Sequence, residues 1–216
     1  SDMAQVSDVV PVAQQILASL SQPVQLDGHL MTVSASMGIS AYPRDGDSAD
    51  MLIRHADTAM YRAKEQGGHA MAFFTPEMDD SMIERLRVEA GLRRALEEHE
   101  LRVYFQPIVN MATGKITSAE ALVRWLDPVL GLVPPVQFIG IAEETGLIIP
   151  LGNWVLQQAC MQAKAWQDQG LGMIPVAVNL SARQFNDPRL DASIEAALAL
   201  ARCPANLLQL EITESM

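Results

Sequence analysis

The chain has 216 residues, 49% of them hydrophobic, with 15 Lys or Arg against 26 Asp or Glu and a formal net charge of -11 at pH 7. That apolar fraction supports a real core and excludes a disordered chain, while the acidic balance disfavours binding to a nucleic-acid backbone as the main activity. Only two cysteines occur, Cys160 and Cys203, too far apart for a CxxC metal site or a disulfide framework and in keeping with a reducing cytoplasm.

Apolar runs such as residues 146–151 fall far short of the roughly 20 residues that a membrane-spanning helix needs, and the N-terminus lacks a basic stretch followed by an apolar one. A cytoplasmic location is therefore expected for this piece; a membrane anchor upstream in a parent protein is compatible with it. From residue 4 to residue 20, Val6, Val9, Val10, Ala13, Ile16, Leu17 and Leu20 recur at intervals of mostly three and four, which predicts an amphipathic helix stopped before Pro23. Residues 24–26 and 30–40 flank Asp27-Gly28, a pair suited to a hairpin turn, so two antiparallel strands are expected. Ser48 then serves as N-cap for a helix to about Gln66, stopped by Gly67-Gly68, and a short strand near Met71 to Phe74 closes a first α/β unit over residues 1–75.

Thr75, Pro76 and the acidic residues Glu77, Asp79 and Asp80 mark a change of regime. Residues 76–99 are assigned as a connecting helix, its charged amphipathic pattern read from Met82 to Glu98. Residues 100–216 alternate strands with helices: strands at 101–110, 114–125, 174–180 and 207–212, helices from Val136, from Leu151 and over 190–202. Such alternation means parallel pairing, except that the short loop joining the first two strands makes that pair antiparallel. Val176-Ala177-Val178 is apolar at successive positions, as expected of a parallel strand covered on both sides.

Glu120, Asn179 and Glu211 fall at or near strand C-termini, which in a parallel α/β barrel converge on one face. Two carboxylates and an amide oxygen are hard ligands suited to Mg²⁺ or Mn²⁺ rather than zinc. Taken singly, each would ordinarily cap a helix or face solvent. Trp125 and Trp154 read as core.

The surrounding residues change those odds. Tyr104-Phe105-Gln106-Pro107-Ile108, Glu120-Ala121-Leu122-Val123-Arg124-Trp125, Phe138-Ile139 through Ala142-Glu143 with Gly146-Leu147-Ile148, Asn179-Leu180-Ser181 with Gln184-Phe185, and Glu211-Ile212-Thr213-Glu214 occur in that order. Together they resemble the EAL family over residues 101–216. Residues 33–40 with Pro43 and Gly46, and residues 56–64 with Gly67, resemble the closing part of the GGDEF fold, without the loop that gives that family its name. The resemblance implies a partial GGDEF α/β sheet domain followed by the first half of an EAL-type (β/α)8 barrel with an antiparallel first strand. It implies hydrolysis of cyclic di-GMP to linear pGpG at a two-metal site, with Mg²⁺ or Mn²⁺ as cofactor.

Carried over residue by residue, the resemblance makes Glu120 and Glu211 catalytic metal ligands alongside Asn179. It makes Arg124 a phosphate contact, Gln106 and Leu122 nucleotide contacts, and Pro135 and Gln184 neighbours of the guanine pocket. Glu214 is expected to support a substrate-binding loop. The three metal ligands are expected to face one another across a single cavity, within about 8 Å. The family's remaining metal ligands, an Asp-Asp pair and another Glu, and its Lys near the attacking water would follow residue 216, so this chain by itself is expected to be inactive, with the complete protein a homodimer. Two alternatives stand beside the hydrolase: a catalytically silent cyclic di-GMP receptor, and a regulatory module working through the 82–98 helix without nucleotide.

Overall fold

A computed structural model describes residues 8–26, 29–32, 34–65 and 68–212. The chain divides into two units, Ser1–Glu84 and Arg85–Met216. In the first, α1 (Val9–Leu20) buries Ala13 and Leu17. β1 (Val24–Leu26) pairs antiparallel with β2 (His29–Met31). The Asp27-Gly28 turn and Gly67 lie outside the described residues. β3 (Met37–Ile39) and β4 (Met71–Phe73) pair in parallel, joined through α2 (Ala49–Glu65).

The expected single strand over residues 30–40 is therefore two strands in different sheets. Before β3, Ser34, Ala35 and Ser36 lack the branched or aromatic side chains that favour a pleated surface. A Cβ added at Gly38 would lie 1.8 Å from the Ala56 carbonyl oxygen, so the crossover helix α2 rests on β3 at a separation only glycine permits. Ser48 Oγ accepts from the Met51 amide at 3.4 Å, as its N-cap role requires.

Helix α3 (Pro76–Glu97) begins six residues before the expected Met82. Proline suits the first helical position because its missing N–H has no partner there, and Glu77 and Asp79 sit in the first turn, where carboxylates favour the positive end of the helix dipole. The acidic cluster belongs to the helix rather than to a linker.

In the second unit, β5 (Leu101–Val109) and β6 (Ile116–Asp127) pair antiparallel as expected, with Gln106 opposite Glu120. The connecting turn is closed by Asn110 Oδ1, which accepts from the amides of Ala112 and Thr113. β7 (Gly131–Val133), not expected from the sequence, folds back on the end of β6. Asp127 Oδ1 accepts from the amides of Val129 and Leu130, and Gly131 takes a φ of 75°, a conformation that glycine adopts at little cost. After α4 (Pro135–Thr145) and α5 (Ile148–Asp168), β8 (Val176–Leu180) pairs parallel with β6. The short α6 (Ala182–Phe185), also unforeseen, α7 (Leu190–Ala201) and a 3-10 turn (Ala205–Leu207) lead to β9 (Leu208–Ile212), parallel to β8. The sheet order is β5-β6-β8-β9, with β7 on β6.

Side chains alternate across a strand, so register divides this sheet into two faces. On the covered face, Val103, Phe105, Ala121, Val123, Val176, Val178 and Leu208 pack with Val155, Leu156 and Ala159 of α5 and Ala197 of α7. Further along, Trp125, Phe138, Leu92 and Leu151 form a second cluster. Trp125, Phe138 and Leu156 are fully buried, each worth about 1.5–3 kcal/mol or more relative to exposure.

A polar network closes this end of the core. Arg94 donates to Glu100 and to Asp127 at 2.7–3.2 Å, while Trp125 Nε1 donates to Glu100 at 3.1 Å. The Arg94 hydrogen bond, assisted by Trp125, holds the Glu100 carboxyl below its ordinary pKa against the effect of burial. Burial would raise Asp127, but the amides of Leu130 and Val129 and the Arg94 guanidinium bring it below its ordinary value. The pKa of Arg94 is raised, chiefly by its bond to Glu100. Among the described residues, no helix is long and apolar enough to cross a membrane.

Candidate functional site

The opposite face of the sheet carries the polar residues. Register places Arg102 beside Arg124, Tyr104 beside Leu122, Gln106 beside Glu120, Glu120 beside Ala177, and Asn179 beside Glu211. Paired residues in a ladder point the same way, so all of these share one face. Glu120 lies in the middle of the twelve-residue β6, whereas Asn179 and Glu211 occupy the penultimate positions of β8 and β9. The half-buried Glu120 accepts from Asn179 Nδ2 at 2.7 Å. Glu211 stands one strand further along, directly beside Asn179, at the roughly 4.8 Å spacing of neighbouring strands.

This set offers oxygen donors from three adjacent strands. A cation between them would meet the Asn179 amide oxygen after a half-turn of that side chain, and both carboxylates without any change of strand. Hard divalent cations prefer such donors. Among the described residues, no three His, Cys, Asp or Glu groups gather into a metal cluster.

Four of the five residues assigned to substrate, Leu122, Arg124, Pro135 and Gln184, line one cavity of about 280 Å³ together with Asn179 and Glu143. The fifth, Gln106, is exposed on β5 opposite Glu120 and does not line that cavity; of the three expected metal ligands only Asn179 does, so the single cavity expected between them is not this one. Glu214 lies outside the described residues. Arg124 is partly buried, and its Nη1 donates to the Val123 carbonyl. Among the described residues, no carboxylate lies within ion-pair distance of it.

Gln184 has a second occupation. Ser181 Oγ accepts from the Gln184 amide, and Gln184 Oε1 accepts from the Ser181 amide, a reciprocal capping box that starts α6. A Cβ at Gly152 would lie 1.8 Å from Gln184 Nε2, so the glycine on α5 makes room for this amide at the cavity wall. Arg183 donates to the carbonyls of Glu143 and Glu144 at the end of α4, tying α6 to the far side of the same cavity. Sequence reasoning missed Gly152 and Tyr104, whose ring centroid lies 5.8 Å from the Arg124 guanidinium. The signal for Tyr104 was its parity: two positions before Gln106, it must share that residue's face.

Residues 89–216, more than half of the chain, match the family described as EAL domain, and residues 1–70 match that described as diguanylate cyclase, GGDEF domain. The chain is 41% identical over 209 residues to the bifunctional diguanylate cyclase/cyclic di-GMP phosphodiesterase MucR of Pseudomonas aeruginosa, covering 97% of this chain and 30% of MucR. It is 41% identical over 207 residues to the cyclic di-GMP phosphodiesterase PdeR of Escherichia coli, covering 94% of this chain and 31% of PdeR. The chain thus spans less than a third of the length of these two relatives. Among solved structures, the PaMucR phosphodiesterase in complex with c-di-GMP superposes with a TM-score of 0.58 at 43% identity, over 60% of this chain and 52% of that one.

Proposed function

The chain belongs to the EAL family, and from that premise we propose that it serves in cyclic di-GMP signalling as part of a phosphodiesterase that opens the cyclic dinucleotide to linear pGpG. The observation that carries this reading is the placement of Glu120, Asn179 and Glu211 on one face of three neighbouring strands. Beside them lies a cavity lined by the Arg124 guanidinium, which has no carboxylate partner among the described residues. The sheet of the second unit is read as half of a (β/α)8 barrel, residues 1–75 as the closing part of a GGDEF domain, and residues 76–99 as their connection.

In this reading Glu120, Asn179 and Glu211 hold Mg²⁺ or Mn²⁺. Such ions, when bound, supply an activated water and neutralise charge on the phosphoryl oxygens. The chain's own residues do the positioning. Arg124 presents a planar set of donors that can hold two oxygens of one phosphate. Leu122 and Pro135 give the nucleotide an apolar wall, and Gln184 offers its Nε2 hydrogens to a base edge. Gln106, across the ladder from Glu120, is placed to meet the substrate from the other side. Glu214 is retained as a support for the substrate loop.

The test is to purify the protein in the longest form its gene encodes and follow conversion of cyclic di-GMP to pGpG with Mg²⁺ or Mn²⁺. Turnover that disappears in Glu120→Ala supports the hydrolase. Tight binding without product would favour the receptor, and absence of binding would overturn both.

A further inference from the structure

We infer that Tyr104 is a positioning residue for Arg124: its ring holds the guanidinium where it meets a phosphate of the substrate. The inference rests on the reading of Arg124 as the phosphate contact. Tyr104 stands directly opposite Leu122, so Arg124 is its diagonal neighbour on the same face. The guanidinium carbon lies 5.8 Å from the ring centroid, within the range at which an aromatic face attracts a cation.

The residue directly opposite Arg124 is Arg102, and like charges opposed across a ladder repel. Arg102 turns away, donating to the carbonyls of His99 and Leu101, while Arg124 leans over Tyr104. With no carboxylate in reach among the described residues, the Arg124 charge is steadied by a π face and one backbone carbonyl. That arrangement orients the guanidinium yet leaves most of its N–H groups for an incoming anion. A carboxylate in the same place would orient it as well but would compete with the phosphate. Tyr104 is 53% exposed, so its ring contributes little to the core.

The experiment is a titration of the full-length protein with cyclic di-GMP, repeated on Tyr104→Leu, Tyr104→Phe, Arg124→Ala and the double variant Tyr104→Leu/Arg124→Ala, with melting temperatures measured in parallel. Tyr104→Leu is expected to weaken binding about threefold to tenfold at an unchanged melting temperature. Tyr104→Phe, which keeps the ring, retains most of what Tyr104→Leu loses. The double variant binds no more weakly than Arg124→Ala alone. Tyr104→Thr, a strand-forming residue without a ring, gives a second ringless variant should Tyr104→Leu fold poorly. Equal affinity in both ringless variants overturns the inference, as does a loss that persists in the Arg124→Ala background, since that would mark a direct contact between ring and ligand. Wild-type protein that does not bind, or Arg124→Ala that binds as well as wild type, removes the underlying reading and this inference with it.

Discussion

The two faces of the sheet in the second unit are written in the same strands, one residue apart, and obey different rules. Ala121, Val123 and Trp125 of β6 turn to the face packed against apolar side chains, whereas Glu120, Leu122 and Arg124 turn to the opposite face; the cavity at the candidate site takes lining from both, Ala121 and Val123 as well as Leu122 and Arg124. On the first face, close packing governs free energy, because atoms removed there leave a cavity that the neighbours fill only in part. On the second, polar side chains meet one another and solvent, as in the Asn179–Glu120 hydrogen bond, rather than a close-packed interior. Substitutions on the covered face should therefore cost stability, and those on the polar face should cost chemistry while leaving stability nearly untouched.

The largest effect expected is from Trp125→Ala. The ring is fully buried, lies edge-on to Phe138 and packs so close to α3 that a Cβ at Gly91 would be 2.8 Å from it. Truncation should cost about 3–5 kcal/mol, read as a lower urea midpoint; a loss below about 1 kcal/mol would break the division between the faces. Five residues earlier, Glu120→Gln should lower pGpG formation by about a hundredfold or more, near 2.7 kcal/mol of barrier, at an unchanged midpoint.

Acid should reveal a third behaviour at the rim of the core. Folding lowers the pKa values of Glu100 and Asp127, so their contribution is present above the ordinary carboxylate range and is lost as pH falls through the depressed folded values. Denaturant midpoints should decline from about pH 5 downward. Asp127→Asn should lose about 2 kcal/mol at neutral pH, because the Arg94 pair is broken and the turn amides are capped less well. Its acid dependence should also be shallower, and parallel profiles would exclude Asp127 as a contributor. Ser181→Ala is expected to have the smallest effect, about 1 kcal/mol, by removing one side of the capping box. It should also weaken nucleotide binding slightly, because Gln184 is seated by the same contact; a shift in stability with no shift in affinity would separate the two roles.

Much of this organisation was legible in the sequence. A turn of a few residues between two strand-like segments can only reverse the chain, which made β5 antiparallel to β6. The apolar run at Val176 marked a strand buried in a parallel ladder. Glu120, Asn179 and Arg124 were singled out through the resemblance carried by five blocks in order, although each alone is commonplace. Other features were hidden for physical reasons. β7 has three residues and is held by the Asp127 side chain and a glycine turn, so no periodicity could announce it. The separate start of β3 at Met37 follows Ser34, Ala35 and Ser36, whose weak strand preference a longer apolar pattern masked. Gln184 closes the capping box of α6, a structural part that the resemblance, which pointed to the substrate side, left unseen.

The division of β6 by parity has a consequence for the gene. Inserting a single codon between Ile116 and Glu120 would exchange the faces of part of the strand, turning Glu120 towards α5 and an alanine towards the ligand, with every chemical group still present in the polypeptide. Such a protein would lose its fold and its site together, although no substitution had occurred. Changes of length should therefore be tolerated at the turn over residues 110–115 and in the loop over residues 169–175, and be lethal within the twelve residues of β6 itself.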